Sequence, residues 1–280
     1  MEKVGVVGAG MMGSEIALVF ALAGHEVILV DCSEAQAAAG IVRLTGVLKK
    51  AVERGLQSAD AASAAVGRIR PVSDWSAFTG CSLITEAVFE DIAVKREVLA
   101  QLDSGCAPDC VIATNTSTIP ISTLAAALTE ARRPKFIGTH YFSPVSRMRL
   151  VEVIPGFATS EETLDFTLCL CRSAGKTPIR VKDVAGFAVN RVLHTFLIEA
   201  VRLVEEGVAT PEDIDTACRL GLGHPMGPFE LMDATTSSLC LQAQEIMHDA
   251  YGERFRPRPL LKQRVSAGLV GGRNARGWRR

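Results

Sequence analysis

The segment that most constrains the fold is the glycine pattern near the N-terminus, which lies between short apolar runs at residues 4–7 and 27–30. Runs of this kind are typical of parallel strands that are buried on both faces. Gly8 permits a tight turn after the first strand, Gly10 lets a pyrophosphate approach the backbone, and Gly13 lets the following helix pack closely. Because the helix N-terminus offers free N–H groups and a positive dipole end, the segment predicts a dinucleotide site.

Asp31 ends the second apolar run, eighteen residues after Gly13. A carboxylate at that position can accept hydrogen bonds from the ribose hydroxyls of a dinucleotide, and its charge repels a 2′-phosphate. The three residues that follow Asp31 supply no arginine to bind such a phosphate. The segment therefore predicts a Rossmann-type domain that binds NAD rather than NADP, with Met11 and Met12 also at the cofactor.

The period of the apolar residues divides the chain into two parts. Strand-like runs and helices alternate through the first part, with an Ala-rich helical insertion at about residues 34–70. The spacing is helical throughout the second part, where residues 229–251 and 258–268 are predicted to form helices. The expected fold is α/β, with a Rossmann-type doubly wound sheet over 1–183 followed by an all-α domain over 184–280 for substrate binding and dimerisation.

Composition and charge exclude several classes of protein. The 280 residues are 48% hydrophobic and carry a formal net charge of −1, so a large buried core is expected and nucleic-acid binding is not. No uncharged apolar run reaches the length of about 18 residues that a membrane span needs. The eight cysteines lack the C-x2-C spacing of a metal site, so we expect no metal, no disulfides and a reducing cytoplasm. A strand predicted at the very start leaves no room for a signal peptide.

Polar residues follow two of the predicted strands, at the edge where open α/β sheets bind ligands. Glu86, Glu90 and Lys95 lie at the end of one strand, and Asn115 and Ser117 follow the next. These side chains are expected over the cofactor crevice. Ser117, or the threonine after it, could instead cap the next helix.

Lys50 and Arg54 are four residues apart on a predicted helix and share one side of it. The pair could form an ordinary solvated face. It could also dock a phosphorylated handle on a substrate, and the spacing leaves both interpretations open.

His140 and Glu152 lie in extended segments on either side of the Ser143-Pro144 turn. If the chain doubles back over residues 143–149, the two side chains come within hydrogen-bond reach. The carboxylate would then fix the tautomer of the imidazole and stabilise its protonated form. Histidine, whose ordinary pKa is about 6.5, is suited to take a proton from an alcohol near neutral pH. The pair therefore predicts the acid–base step of a dehydrogenase.

Six segments carry a resemblance to a known family: GAGMMGSEIA, ATNTSTIPIS, GTHYFSPVSRMRLVEVI, VAGFAVNRVL, ATPEDIDTACRLGLGHPMGPFELMD and RPRPLLKQRVSAG. Over nearly its full length the chain resembles the L-3-hydroxyacyl-CoA dehydrogenases, and among them the single-chain bacterial 3-hydroxybutyryl-CoA dehydrogenases. The resemblance implies reversible hydride transfer between NAD and C3 of a (3S)-3-hydroxyacyl-CoA, in fatty acid metabolism. It also implies a homodimer formed through the C-terminal domain.

The resemblance further implies a role for each matching polar residue. In the reaction centre, His140 would be the general base, Glu152 its orienting partner, Ser117 a hydrogen-bonding partner of the substrate's 3-oxygen and Asn190 a substrate-positioning residue. Lys50 and Arg54 are the residues expected at coenzyme A. Those expected at NAD are Gly8, Gly10, Met11, Met12, Gly13, Asp31, Glu90, Lys95, Asn115 and Arg273, the last in place of a lysine.

Three features depart from the family pattern. Ser143 stands where asparagine is usual, ATTSSLC follows GPFELMD, and the C-terminus is reduced to GGRNARGWRR. They leave open a related reaction on a hydroxyacyl group that is held by an acyl carrier protein. A non-catalytic structural relative is a third interpretation, and such a protein would be expected to tolerate loss of His140 and Glu152, which are both present.

Overall fold

The computed structural model of the protein describes residues 1–272 and 275–279. The chain divides into two compact units, Met1–Val184 and Ala185–Arg280. The first unit is a mostly parallel sheet with helices and the second is helical, which confirms the predicted α/β class with an all-α C-terminal part. Arg273 lies outside the described residues, so its contact with the cofactor stays a prediction.

The first unit is built on one sheet of eight strands, all within the described residues. In chain order they are β1 (Lys3–Val7), β2 (Glu26–Val30), β3 (Ile69–Val72), β4 (Leu83–Glu86), β5 (Val111–Thr114), β6 (Phe136–Tyr141), β7 (Leu150–Pro155) and β8 (Thr177–Arg180). In space the order is β3-β2-β1-β4-β5-β6-β7-β8, and every neighbouring pair is parallel except β6 with β7. The strand order reverses between β1 and β4, and ligands of such sheets bind beyond the carboxyl ends of the strands at that point.

Helices of the first unit connect these strands. They are α1 (Met11–Leu22), α2 (Glu34–Glu53), α3 (Ala59–Gly67), α4 (Ile92–Gly105), α5 (Ile121–Ala125) and α6 (Glu161–Ser173). Side chains that cap helices explain two of the starts, since Ser33 accepts a hydrogen bond from the backbone of Gln36 and Asp91 accepts one from Ala93. The predicted insertion consists of α2 and α3.

The edge strands β3 and β8 were not recognised in the sequence. Their sequences, IRPV and TPIR, are only four residues long and each contains a proline. Proline removes a backbone donor and is tolerated at the edge of a sheet, where one side of the strand has no partner. Edge position therefore accounts for strands that lack the apolar pattern of the central ones.

The second unit consists of α7 (Val189–Glu205), α8 (Pro211–Gly221), α9 (Pro228–Thr235), α10 (Ser237–Tyr251) and α11 (Pro259–Ser266). The helical stretch predicted over 229–251 is present, but Thr236 interrupts it with a φ of +101°. The Thr236 hydroxyl accepts a hydrogen bond from the backbone of Leu239 and starts α10. Consecutive Ser and Thr residues offer the backbone such side-chain partners, which favours a break over a continuous helix.

Other predictions concerned membrane spans, metals and disulfides. Within the described residues, no helix has both the length and the hydropathy that crossing a membrane requires. The same residues contain no group of three or more His, Cys, Asp or Glu arranged to hold a metal ion. All eight cysteines belong to the described part of the chain and are free thiols.

Candidate active site

The glycine turn between β1 and α1 is shaped by close backbone contacts. Gly8 has a φ of +96°, a conformation that glycine adopts at little cost. A Cβ atom on Gly13 would lie 1.8 Å from the carbonyl oxygen of Gly8, so α1 packs too closely for any other residue there. At Gly10, the N-cap residue of α1, a Cβ atom would meet nothing within 4 Å. That open space beside the N–H groups at the start of α1 fits a pyrophosphate.

The Ala9 peptide in this turn is held from both sides by charged groups. Its N–H donates to Asp31 Oδ2 at 2.6 Å, and its carbonyl oxygen accepts from Arg43 Nη2 at 2.8 Å. Arg43 lies beyond the three residues after Asp31 in which no arginine was found, and α2 brings it back to the turn. Gly40, one helical turn earlier, permits the approach, because a Cβ atom there would lie 3.0 Å from the Cβ of Ala9.

Glu86 and Lys95 form a completely buried ion pair at the carboxyl end of β4. Lys95 Nζ lies 2.8 Å from Glu86 Oε1 and 3.4 Å from Glu90 Oε2, and Glu86 also accepts from Thr114 Oγ1 at 2.6 Å. Lys95 has no exposed surface, and its predicted contact with NAD stays a prediction. Its ammonium group compensates two carboxylates, which burial would otherwise destabilise.

Glu90 connects this ion pair to the loop after β5. Its Oε1 accepts hydrogen bonds from Thr116 Oγ1 at 2.6 Å and from the N–H of Ser117 at 2.7 Å. The N–H of Thr118 also donates to it at 3.2 Å. Lys95 therefore acts on the loop that carries Ser117 through Glu90, a link that neither strand end indicated in the sequence.

The alternative role for Ser117 as a helix cap is wrong. The next helix, α5, starts at Ile121 with Pro120 as its N-cap residue. The carboxylate of Asp183 accepts the N–H groups of Ile121 at 2.7 Å and of Ser122 at 2.8 Å. The helix N-terminus is therefore stabilised by an aspartate that is distant in the chain, and Ser117 does not cap it.

Asn115 links the same loop to β6. Its side-chain oxygen accepts a hydrogen bond from the N–H of Tyr141 at 2.9 Å, and the side chain is almost fully buried. Tyr141 directly follows His140. Asn115 therefore ties the end of β5 to the residue beside the histidine, and its predicted contact with the cofactor stays a prediction.

His140 and Glu152 face each other across the antiparallel pair β6 and β7. They are opposite in the strand register, and His140 Nδ1 lies 2.8 Å from Glu152 Oε2. Since an ionised carboxylate can only accept, Nδ1 carries the proton and the lone pair of the neutral ring is on Nε2. His140 is 5% exposed and Glu152 is completely buried. The arrangement can hold one imidazole in one tautomer and stabilise its protonated form.

The remaining predicted residues belong to the helices α1, α2 and α7 or to their ends. Lys50 and Arg54 are exposed on the last turn and C-cap of α2, which is compatible with a solvated face and with a docking point. Met11 is exposed at the start of α1, and Met12 is half-buried. Asn190 is the second residue of α7 in the helical unit and is half-buried there.

Comparison with known proteins gives two family models that together span the chain. The 3-hydroxyacyl-CoA dehydrogenase NAD binding domain matches residues 3–184, and the 3-hydroxyacyl-CoA dehydrogenase C-terminal domain matches residues 186–280. A probable 3-hydroxybutyryl-CoA dehydrogenase of Deinococcus radiodurans is 40% identical over 99% of both chains. A mitochondrial hydroxyacyl-coenzyme A dehydrogenase of Homo sapiens is 38% identical over 99% of this chain and 90% of its own.

A solved structure agrees with these matches along the whole chain. The crystal structure of (S)-3-hydroxybutyryl-CoA dehydrogenase from Ralstonia eutropha has a TM-score of 0.94 at 35% identity, covering 99% of this chain and 98% of that one. The chain therefore belongs to the 3-hydroxyacyl-CoA dehydrogenase family, and its first unit is the NAD-binding domain of that family.

Proposed function

We propose that the protein is an NAD-dependent dehydrogenase of short-chain (3S)-3-hydroxyacyl-CoA thioesters that interconverts (S)-3-hydroxybutyryl-CoA and acetoacetyl-CoA. The relatives from Deinococcus radiodurans and Ralstonia eutropha, which are named for 3-hydroxybutyryl-CoA, support the short acyl chain. The observation that carries the proposal is the buried hydrogen bond of 2.8 Å between His140 and Glu152. His140 lies near the carboxyl end of β6, and ligands of such folds bind beyond the carboxyl ends of the strands.

His140 would act as the general base through Nε2. In the oxidative direction Nε2 takes the proton of the C3 hydroxyl, while bound NAD supplies the hydride acceptor. Glu152 stabilises the imidazolium that results, because its carboxylate stays hydrogen-bonded to Nδ1. In the reductive direction the same imidazolium returns the proton to the 3-oxygen. General base catalysis of this kind contributes about 10²–10⁴-fold in rate.

Ser117 and Asn190 would position the substrate in this scheme. The Ser117 hydroxyl would hydrogen-bond the 3-oxygen, and the bond from its N–H to Glu90 supports a fixed backbone at that residue. Asn190 would act from the first turn of α7. Hydrogen bonds to the 3-oxygen would orient C3 and leave its hydroxyl proton accessible to His140.

Lys50 and Arg54 would bind the phosphates of coenzyme A. Both cations are exposed on one side of α2, and Arg43 lies two helical turns before Lys50 on the same side. A row of exposed cations is suited to a polyanionic handle, because phosphate contacts depend mainly on charge. Replacement of Lys50 and Arg54 by alanine should raise KM for acetoacetyl-CoA more than kcat falls.

The helical unit would form a homodimer. Its large exposed apolar side chains support this, since Val192, Leu220, Leu222 and Leu239 are each more than half exposed. Light scattering of the purified protein checks the proposal, and a mass of one chain would contradict it. A cytoplasmic location, expected from the free cysteines, and a role in fatty acid metabolism, expected from the proposed substrate, both stay predictions.

NADH oxidation measured with several 3-oxoacyl thioesters tests the proposed function. We expect acetoacetyl-CoA to be reduced with a higher kcat/KM than longer 3-oxoacyl-CoA thioesters. A higher kcat/KM for acetoacetyl groups on an acyl carrier protein would instead favour the carrier-protein alternative. Absence of turnover with every thioester would favour the non-catalytic alternative, which the intact hydrogen bond between His140 and Glu152 argues against.

A further inference from the structure

The turn that joins β6 to β7 is held by two buried charged residues from distant parts of the chain. Glu15 Oε2, on α1, accepts hydrogen bonds from the N–H of Ser146 at 2.9 Å and from its hydroxyl at 3.1 Å. Lys176, just before β8, donates from Nζ to the carbonyl oxygens of Val145 and Met148. Both side chains are 8% exposed. The two residues, named here the turn clamp, thus bind consecutive parts of one turn.

The turn has few contacts of its own. Residues 143–149 are exposed apart from Val145, whose side chain is buried in the core. The backbone bonds within the turn converge on the carbonyl oxygen of Pro144, which accepts from Arg147 at 3.0 Å and from Met148 at 2.9 Å. The clamp residues therefore supply a large share of the bonds that fix this segment against the rest of the unit.

Burial makes these bonds costly to lose. Within the described part of the chain, neither Glu15 nor Lys176 has a salt-bridge partner, so each charge is compensated mainly by groups of the turn. Burial lowers the pKa of Lys176 below its ordinary value, and the negative charge of Glu15 offsets part of this effect. A buried charge that has lost its hydrogen-bonding partners is strongly destabilised.

The clamp also connects two parts of the active site. Glu15 lies on α1, the helix whose first turn follows Gly10 and faces the expected pyrophosphate. Ser146 lies between His140 and Glu152 in the chain. A movement of the turn would displace the ends of both strands, because the turn is their covalent link.

We propose that Glu15 and Lys176 are positioning residues that keep the β6–β7 turn, and with it His140 and Glu152, in place relative to the cofactor-binding helix α1. The expected effect on turnover rests on the proposed function, whereas the expected effect on the mobility of the turn is independent of it. Neither residue touches the reacting atoms. Their role is to keep Nε2 of His140 at a fixed distance from the bound substrate, where small displacements reduce the rate strongly.

Kinetics with acetoacetyl-CoA and NADH test the effect on turnover. We expect Glu15→Ala and Lys176→Met each to lower kcat by about tenfold, with KM for acetoacetyl-CoA within about twofold of the wild-type value. Glu15→Gln keeps an acceptor for Ser146 and should restore most of kcat. The double variant should lose little more than either single variant, because both residues act on one segment. Exposed residues of the same unit, in Glu26→Ala and Lys182→Met, serve as controls.

Limited trypsin digestion tests the turn without any need for activity. Arg147 and Arg149 are exposed cleavage sites within the turn. In folded Glu15→Ala and Lys176→Met proteins, cleavage there should be about tenfold faster than in the wild type and in both controls. Wild-type cleavage rates and wild-type kcat in both clamp variants would overturn the inference. Absence of dehydrogenase activity in the wild type would instead contradict the proposed function and leave the digestion as the test of the clamp.

Discussion

Two histidines of this protein are buried to the same extent and have different surroundings. His140 in the sheet is 5% exposed and is hydrogen-bonded to Glu152, whereas His194 on α7 is 4% exposed and its Nδ1 has no hydrogen-bonding partner among the described residues. Burial lowers the pKa of His194 to about 4. At neutral pH this imidazole is therefore neutral and is unsuited to hold a proton during a reaction.

A buried histidine becomes useful for acid–base chemistry through its hydrogen-bonding partner. A carboxylate at Nδ1 fixes the tautomer and stabilises the imidazolium, while an apolar environment only disfavours it. Both histidines lie in apolar stretches of the sequence, so the stretches alone do not separate them. The antiparallel register of β6 and β7 provides the partner in one case, and the packing of α7 provides none in the other.

The largest expected effect separates the two histidines by activity. His140→Ala should lower kcat by about 10²–10⁴-fold while NADH binding persists, because the general base is lost and the glycine turn is intact. His194→Leu should leave kcat within about threefold of the wild type. Steady-state kinetics and NADH fluorescence titration measure the two quantities. Equal activity of the wild type and His140→Ala would remove the proposed mechanism.

A second experiment extends the comparison to a buried charge that loses its partner. Lys95→Met leaves the completely buried Glu86 carboxylate without its cation and should lower the free energy of unfolding by about 3–5 kcal/mol. Lys262→Met removes an exposed cation 3.9 Å from Glu245 and should cost less than about 1 kcal/mol. Urea denaturation of both variants checks the contrast. Similar losses of unfolding free energy in the two variants would show that burial does not determine how much the Lys95 ion pair stabilises the fold.

The pH dependence of stability sharpens the comparison further. Between pH 6.5 and about 4, unfolded His194 binds a proton and folded His194 does not, so the free energy of unfolding falls as the pH falls through that window. The loss should reach about 3 kcal/mol and change little below pH 4. His194→Leu lacks this contribution, and its stability should depend less on pH over the same range. Parallel slopes for the two proteins in urea denaturation would contradict the low pKa.

The smallest expected effect concerns another polar side chain of the helical unit. Gln244 on α10 is completely buried, and neither of its side-chain polar atoms has a hydrogen-bonding partner among the described residues. Because such groups are destabilising in an apolar environment, Gln244→Leu should be more stable than the wild type by about 1 kcal/mol. Thermal unfolding measures the change. A variant less stable than the wild type would mean that the Gln244 side chain stabilises the fold through contacts other than hydrogen bonds.

Much of the fold and part of the candidate site were accessible from the sequence. The central strands follow from short apolar runs that are typical of strands buried on both faces. The strands β3 and β8 and the break at Thr236 were missed, because edge strands and short helix interruptions have weak local patterns. The buried ion pair of Lys95 with Glu86 was also missed, because the sequence does not reveal where a long side chain turns.

Local sequence patterns specify the glycine turn, the carboxylate of Asp31 at the end of β2 and the two strand-like segments that carry His140 and Glu152. These features depend on residues close together in the chain, where sterics and spacing act directly. Three contacts depend instead on long-range packing. Arg43 binds Ala9, Lys95 binds Glu90, and Glu15 binds Ser146, 131 residues away in the chain. Such contacts form because buried charges must find polar partners, and which partners lie within reach is set by how the helices pack against the sheet.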